Sequence, residues 1–335
     1  MARLPSVERA LLTLDGRSAA RVRPALDWLR ERSPGDGPSV ELLREYLWRE
    51  LPVHRPGDER AGHEVAWALG DLFEDADLAE QAALCRAAAT HEVIAARRWA
   101  GSFPDVPAGF WRPAIGVLPR AGDVPGRVAL SLASALALIE TVGDGLTLTT
   151  AGQLPSRTVE ALDDRFRWTE EFPWMHADDE SYVAPLRFLH EHLVAQRLLA
   201  RDGRRLVPTP EGSACLRDTA RLWRAVVSPR PRWSREFDRD ALGVMAASLL
   251  RTPDFTVGRV AEEMTHVLAG KWRPARSAAR GSVFDGASLV AQAWYQLGVP
   301  LGWWDSGRGP ADRRPNAWGR AAAAAVFRSV ARAQG

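Results

Sequence analysis

The sequence predicts a mainly α-helical protein, in which an N-terminal helical domain is followed by winged-helix-like modules with short β-hairpin wings. Apolar residues recur three and four positions apart over much of the 335-residue chain, which is the period of an amphipathic helix. After residue 125, a unit of apolar helix, tight turn with Asp and Gly, short strand and capped helix occurs three times. A helix, a hairpin and a second helix in this order are typical of the wing end of a winged helix.

Residues 1–100 are predicted to form the N-terminal helical domain. Leu26–Arg30 and Val40–Trp48 have helical spacing, and the turn-forming residues of Ser33–Ser39 separate them. His63–Phe73 and Asp77–Ala89 are amphipathic stretches rich in alanine and leucine. A further helix is expected to begin near residue 90.

Residues 101–125 are predicted to be a linker, because this segment holds five prolines: Pro104, Pro107, Pro113, Pro119 and Pro125. Proline lacks a backbone N–H and clashes with the preceding helical turn, so this density disfavours both a long helix and a central strand. The rest of the chain then divides into paired winged-helix-like modules over residues 126–230 and a third module over residues 231–335.

Each copy of the repeated unit is marked by an Asp/Gly turn and by a Thr or Asn three residues before a glycine. Asp-Gly favours a type I′ hairpin turn, and the Thr or Asn oxygen is expected to cap the helix that follows. The turns and caps are Asp144-Gly145 with Thr149 and Gly152, Asp202-Gly203 with Thr209 and Gly212, and Asp305 and Gly307 with Asn316 and Gly319. In the third copy, helices are predicted over Asp238–Leu250, Thr256–Leu268 and Ser282–Leu297. Unrelated hairpins are the alternative to a true repeat.

Composition indicates an ordinary globular chain, with 46% apolar and 26% charged residues. The longest apolar run, Val128–Ile139, is shorter than the roughly 20 residues that span a bilayer, and the first residues do not resemble a signal peptide. We therefore expect a cytoplasmic protein that does not engage a membrane. The two cysteines, Cys85 and Cys215, are too few for a disulfide framework, and both are predicted to be free thiols without metal.

The fourteen tryptophans are expected to act mainly as bulky anchors between packed helices. Trp48, Trp67, Trp223 and Trp294 have apolar neighbours at helical spacing, so all four are predicted to be mostly buried. Replacing one of them by alanine would then cost about 3–5 kcal/mol of folding free energy.

Several stretches resemble the helical region of actinobacterial, mostly uncharacterised proteins grouped with the plasmid open-reading-frame-three-like family. They are LREYLWRELPVH, EVAWALGDLF and AALCRAAATHEVIAA, followed by GDGLTLTTAGQLPSRTVEAL, whose LT-x-x-G-x-LP core is the most specific part. The resemblance covers roughly residues 40–225 and includes only the helical and winged-helix-like region, since the core module of that family is not found. It implies a fold and almost nothing about activity.

The signatures of common enzymes are missing from the sequence. Gly270-Lys271-Trp272 contains the only lysine and is not a phosphate loop, and Gly143-x-Gly145 lacks the third glycine of a dinucleotide fingerprint. No Gly-x-Ser-x-Gly elbow occurs. We therefore expect a protein that is not an enzyme and binds no cofactor.

Histidines and carboxylates are not arranged as metal ligands. His63-Glu64 and His91-Glu92 lack the second histidine that a zincin helix places four residues after the first. His190 and His192 would point to opposite sides of a helix. The carboxylates between Glu160 and Glu180 are interpreted as a solvated acidic loop, and Glu262-Glu263 after Pro253-Asp254 lacks the lysine of a nuclease pattern. No metal site is predicted.

Charge is distributed unevenly along the chain. Residues 1–200 carry 22 basic and 30 acidic side chains, whereas residues 201–335 carry 22 basic and 12 acidic ones. This asymmetry is typical either of a C-terminal half that binds phosphates or of two halves that neutralise each other on docking.

Six arginines are the candidate nucleic-acid-binding residues. Three are predicted at the tip of the second wing and three on one face of the helix after it: Arg201, Arg204 and Arg205, then Arg217, Arg221 and Arg224. Arginine–phosphate contacts provide affinity without reading base sequence. Further arginines follow at Arg230, Arg232, Arg235 and Arg239, with Trp223 and Trp233 interleaved.

Base-specific reading is not expected, because a winged helix normally reads DNA with the helix before its wing. In the first copy that helix, Val128–Ile139, has no charged residue, and in the second it is of mixed charge. The first hypothesis is therefore a winged-helix-like protein that contacts the nucleic-acid backbone with little base specificity. The alternatives are a protein-interaction scaffold with structural winged-helix modules and, third, a metal-dependent hydrolase.

Overall fold

The structure is a computed structural model that describes residues 6–33, 37–51, 59–118, 124–171, 176–228, 236–252, 256–273, 283–305 and 313–332. Helices dominate these residues, so the prediction of a mainly α-helical protein is confirmed. The chain divides into two compact units, Met1–Trp111 together with Ala331–Gly335, and Arg112–Val330. Within the described ranges, no helix has both the length and the apolar character needed to cross a membrane.

The first unit is built from helices that enclose one apolar core. They are α1 (Ser6–Leu11), α2 (Gly16–Arg32), α3 (Val40–Glu45), a π-helix (Tyr46–Glu50), α4 (Glu59–Asp75), α5 (Ala79–Arg86), α6 (Ala88–Gly101) and the start of α7 (Ala108–Val117). Asp15 caps α2 by accepting hydrogen bonds from the N–H groups of Arg17 and Ser18, and Ser39 caps α3 through the N–H of Leu42. Leu26, Leu43, Leu69 and Phe73 are among the side chains buried in this core.

Helix α7 lies within the segment predicted to be a linker. Phe110 and Trp111 are both buried, and the Trp111 ring packs edge-on against Trp99 at a centroid distance of 4.8 Å. Burying these large rings favours the helix despite Pro113 in its interior. Pro107 stands just before the helix, where a missing N–H costs nothing.

The second unit combines helices with a small sheet. Its elements are α8 (Val128–Ser131), α9 (Ala133–Val142), β1 (Leu146–Thr147), α10 (Ser156–Phe166), α11 (Trp168–Glu171), α12 (Ala184–Ala195), β2 (Leu199–Asp202), β3 (Arg205–Pro208), α13 (Pro210–Cys215), α14 (Thr219–Val226), α15 (Glu236–Arg251), α16 (Val257–Ala269), α17 (Val283–Gly298) and α18 (Ala317–Arg332). The predicted helices of the third copy correspond to α15, α16 and α17. The three strands are antiparallel in the order β1-β3-β2, with Leu146 opposite Leu206 and Leu199 opposite Pro208.

The first copy of the predicted repeat does not form its own hairpin. Its strand β1 pairs with β3 of the second copy. Thr149 does not cap a helix either, since its N–H donates to the carbonyl of Gln153 and its hydroxyl accepts from the N–H of Gln153. These bonds close a local turn, and α10 begins only after Pro155. Three separate hairpin modules are therefore not what the described residues form.

In the second and third copies, the helix before the turn ends with the same backbone geometry. Arg197 and Gly302 have φ values of +57° and +59°, in the left-handed region. The next residues are Leu198 and Trp303, and each donates its N–H to the carbonyl five residues earlier, over 2.9 Å in both cases. These are features of a Schellman helix end.

The two copies also return to the next helix in the same way. Thr209 and Asn316 each donate a backbone N–H over 3.0 Å, to the carbonyls of Leu198 and Trp303 respectively. Their side chains donate to the residue before: the Thr209 hydroxyl to the Arg197 carbonyl at 2.6 Å, and the Asn316 amide to the Gly302 carbonyl at 2.8 Å. Each copy therefore closes on two consecutive carbonyls.

A glycine completes each closure. The side-chain oxygens of Thr209 and Asn316 accept from the N–H groups of Gly212 and Gly319, at 3.0 and 3.1 Å. A Cβ added at Gly212 would lie 2.0 Å from the Leu198 carbonyl oxygen, and one at Gly319 would lie 2.4 Å from the carbonyl oxygen of Trp303. We call residues 197–212 and 302–319 the two turn-and-cap segments. The predicted caps are confirmed in both and wrong in the first copy.

Candidate nucleic-acid interface

The β2–β3 hairpin presents Arg201, Arg204 and Arg205, and all three side chains are exposed. Asp202 pairs with Arg205, so the two-residue turn consists of Gly203 and Arg204 rather than Asp202 and Gly203. Only Gly203 of these two has a positive φ, +58°, as the first central position of a type II′ turn requires. The expected type I′ turn is therefore wrong, because Asp202 is the last residue of β2.

Hydrogen bonds to nearby backbone orient two of the hairpin arginines. Arg204 Nη2 donates to the Leu148 carbonyl, and Arg205 Nη2 donates to the Asp144 carbonyl; both distances are 3.1 Å. The Arg205 guanidinium also packs on Gly145, where a Cβ would lie 2.4 Å from Nη2. A guanidinium has five N–H donors, so one such bond does not use up its capacity to bind an anion.

The other three candidates lie on and just before α14, and all of them are exposed. Arg221 forms a two-point ion pair with Glu211, in which Nε donates to Oε1 at 2.5 Å and Nη2 donates to Oε2. The hydrogen bond from Arg221 lowers the pKa of Glu211. The Arg221 charge is thus balanced locally, whereas the guanidinium groups of Arg217 and Arg224 have no polar partner among the described residues.

The six arginines therefore differ in electrostatic surroundings although all reach solvent. Arg230, Arg232 and Arg235 lie outside the described residues. Arg239 is only half-exposed on α15, and Arg201 lies beside Gly152.

The helix before the hairpin, α12, is unsuited to reading bases. It packs against α9 and α17, and every one of its residues is buried or half-buried. His190 Nδ1 contacts Glu180 Oε1 at 2.7 Å, and His192 Nε2 contacts the Val226 carbonyl at 2.7 Å. Both histidines are buried core residues that point to different partners, in agreement with the predicted rotation between them.

Three of the carboxylates considered above are held by structural partners. Asp163 accepts from Thr169, and Glu180 accepts from the N–H of Leu154 at 2.6 Å as well as contacting His190. Glu263 pairs with Arg251. Across the ranges that the structure describes, no group of three or more His, Cys, Asp or Glu side chains is arranged to hold a metal ion.

The only lysine of the chain forms ion pairs that stabilise the second unit. Lys271 Nζ donates to Asp240 at 2.6 Å and to Glu236 at 3.0 Å, and the Trp272 indole also donates to Asp240 at 2.9 Å. Burial lowers the pKa of Lys271, but the hydrogen bonds to Asp240 and Glu236 outweigh it and raise the pKa overall. Lys271 is therefore a cation that neutralises the fully buried Asp240.

Both cysteines are free and buried, which confirms that part of the prediction. Burial raises the pKa of the Cys85 thiol to about 12 and also raises that of Cys215. Neither thiol is therefore activated as a nucleophile.

Of the four tryptophan predictions, two are confirmed, that of Trp48 is met in part and that of Trp67 is wrong. Trp223 and Trp294 are 2% and 3% exposed, and Trp48 is half-buried with its indole donating to Thr90 Oγ1 at 3.1 Å. Trp67, however, is 50% exposed on the outer side of α4. Its ring stacks on His91 of α6 with a centroid distance of 5.0 Å, so it is held by an aromatic contact and not by core burial.

His91 and His63 form a pair that sequence reasoning missed. Their Nδ1 atoms are 2.7 Å apart and their ring centroids 5.0 Å apart, so the two rings point end-on at each other. Burial, and next the neighbouring His63, lower the pKa of His91. The sequence signal for this pair was the two His-Glu dipeptides. Residue spacing shows which side chains share a face of one helix, and it does not show that two different helices bring His63 and His91 together.

Comparisons with protein-family models, with curated proteins and with solved structures find no match. The resemblance to the plasmid open-reading-frame-three-like family stays a prediction.

Proposed function

We propose that the protein is a non-enzymatic, winged-helix-like nucleic-acid-binding protein that contacts phosphates with little base specificity. The observation that carries the proposal is the β2–β3 hairpin, which presents the exposed side chains of Arg201, Arg204 and Arg205 around one tight turn. Arg217 and Arg224 add two exposed cations on the segment that follows.

The order of elements supports the winged-helix interpretation. Residues 133–208 run as α9, β1, α10, the short α11, α12, β2 and β3, and the sheet order is β1-β3-β2. A winged helix has a similar succession of helix, strand, two helices and terminal hairpin, and here the short α11 is added between the two longer helices. The β2–β3 hairpin would then be its wing, and α12 would occupy the position of the recognition helix.

The burial of α12 limits the mode of binding. A helix reads bases only when its side chains can enter the major groove. Because α12 packs against α9 and α17, its side chains are not presented for that purpose. The hairpin and α14 can still contact the backbone, which supports affinity without sequence discrimination.

A salt titration tests this function. Intact protein is titrated by fluorescence anisotropy against two unrelated DNA duplexes of equal length and against single strands, at low and at physiological salt. We expect similar affinities for both duplexes and a steep fall with salt, of about 0.9 log units per log unit of salt for each phosphate contact.

The matched variants exploit the different surroundings of the arginines. Changing Arg201, Arg217 and Arg224 together to alanine should flatten the salt slope by up to about 2.7, one contact each. The control Arg221→Ala with Glu211→Ala removes a cation together with the carboxylate that balances it, so the net charge is unchanged and the slope should change much less. Circular dichroism checks that each variant is folded. Absence of binding at low salt, or equal effects of the control and the triple variant, would contradict the proposal.

A protein-interaction scaffold is the second candidate, favoured by exposed apolar side chains on α17. Phe284 and Leu289 are 47% and 71% exposed. The same titration separates the two functions, since a scaffold would bind no duplex at low salt.

A further inference from the structure

His63 and His91 meet end-on at the surface of the first unit. His63 lies on α4 and His91 on α6, with the Nδ1 atoms 2.7 Å apart and the ring centroids 5.0 Å apart. A neutral imidazole has one donor and one acceptor nitrogen, so this distance is that of a hydrogen bond in which one Nδ1 donates and the other accepts. One hydrogen, and not two, therefore lies between the rings.

That geometry limits the charge the pair can carry. With one ring protonated, the imidazolium still donates from Nδ1 and the neutral ring still accepts, so the hydrogen bond is kept. With both rings protonated, each Nδ1 carries a hydrogen, no acceptor is left between them, and two like charges face each other. The second proton can bind only after the rings have moved apart.

We propose that the His63–His91 hydrogen bond is an acid-sensitive latch between α4 and α6, which holds while the rings share one hydrogen and opens when both are protonated. Both side chains are half-buried, so protons reach them from solvent. His91 is the fourth residue of α6, so opening the latch releases the start of this helix from α4.

The helices that pack around the latch carry charged residues of both signs. They are Arg21 on α2, Glu50 on the π-helix, Arg60 and Glu64 on α4, and Glu92 and Arg98 on α6. Glu64 is held by Arg21 at 2.6 Å and by Arg60 at 3.0 Å. Helix α5 contributes the Cys85 backbone, which raises the pKa of His91, but burial, and next His63, outweigh it and lower that pKa. These surroundings therefore oppose a charge on His91 while the latch is closed.

Histidine titration in the intact protein tests the latch. With the protein labelled at histidine Cε1, NMR follows each ring from pH 8 to pH 5, and the spectra of His63→Gln and His91→Gln assign the two signals. We expect the pair to take up its protons in two separate steps, the second about one pH unit or more below 6.5, where an unperturbed histidine titrates.

The glutamine variants are also the decisive comparison. In each of them the glutamine carbonyl can accept from the remaining imidazolium, so that ring should titrate in one step, at higher pH than the second step of wild type. His176→Gln and His266→Gln, which change exposed histidines elsewhere, should leave both steps unaltered. Wild-type rings that titrate independently, at the same pH as in the variants, overturn the proposal.

Trp67 shows whether the second proton opens the latch. Its ring on α4 stacks on His91 of α6, so separating the rings also breaks this stacking. The emission of Trp67, taken as the difference between wild type and Trp67→Phe, should therefore change with the second step. A second step that leaves this emission unaltered means that the rings stay together, and rejects the latch. If His91→Gln fails to fold, as judged by circular dichroism, His63→Gln and the fluorescence still decide the question.

Discussion

The turn-and-cap segments at residues 197–212 and 302–319 make the same backbone contacts with different side chains. Arg197 occupies the left-handed position in one and Gly302 in the other, while the caps are Thr209 and Asn316. They also differ in what they hold. The first segment contains the β2–β3 hairpin, and the described residues of the second contain one antiparallel bridge, between Trp304 and Pro315.

This difference teaches which contacts define the segment. The N–H of the cap, its two side-chain hydrogen bonds and the glycine three residues later are common to both. The extent of strand pairing differs between the two segments. The closure of the helix ends, rather than strand pairing, is therefore what the repeated sequence pattern encodes.

The largest effect is expected when the glycines are changed. Gly212→Ala and Gly319→Ala place a Cβ 2.0 and 2.4 Å from backbone carbonyl oxygens, which cannot move without opening the turn. Each should lower the free energy of unfolding by about 3 kcal/mol, measured by urea denaturation. The control Gly258→Ala has open space around its Cβ and should not destabilise. A loss below about 1 kcal/mol at both positions would show that the close approach is not essential.

Changing the caps should give a smaller loss. Thr209→Ala and Asn316→Ala each remove the hydrogen bond accepted from the glycine N–H and the one donated to the carbonyl of the left-handed residue, at a cost of about 1–2 kcal/mol. Asn316→Ala also removes the bond accepted from the N–H of Trp318. Thr209→Ser keeps both bonds and should stay near wild type. Asn316→Asp keeps the cap acceptor but cannot donate to Gly302, so it should fall between wild type and Asn316→Ala. If Asn316→Asp equalled wild type in a thermal melt, the donated bond would contribute nothing.

The smallest effects, of opposite sign, are expected at the left-handed positions. Gly302→Ala forces a side chain to a φ of +59° and should cost about 1 kcal/mol. Arg197→Gly relieves the same strain and should stabilise by a few tenths of a kcal/mol, since the extra freedom of glycine in the unfolded chain offsets part of the gain. Paired melting curves measure both, and destabilisation by Arg197→Gly would mean that the Arg197 side chain makes a compensating contact.

Local patterns predicted those parts of the fold that depend on neighbouring residues. Thr209 and Asn316 cap helices because a side-chain oxygen three residues before a glycine needs only local backbone to act. Thr149 has the same spacing, yet it closes a turn with Gln153. Its strand pairs with β3, which lies far along the chain, and no local signal shows that pairing.

The candidate sites divide in the same way. Helical spacing predicted Arg217, Arg221 and Arg224 on one face of a helix, but Arg217 lies in the turn before α14, so only Arg221 and Arg224 are on that helix. The pairing of Arg221 with Glu211 depends on the angle between two short helices, which the sequence does not specify. Likewise, Trp67 was expected in the core because its neighbours are apolar, but its place is decided by His91 on another helix.

The order β1-β3-β2 also implies that the small sheet assembles at two speeds. Strands β2 and β3 are joined by a two-residue turn, and such hairpins form within about 1–10 μs. Strand β1 must find β3 across a loop of about 60 residues, and only two of its residues pair there. We therefore expect the hairpin to form first and β1 to be added later, once the helices between them have folded.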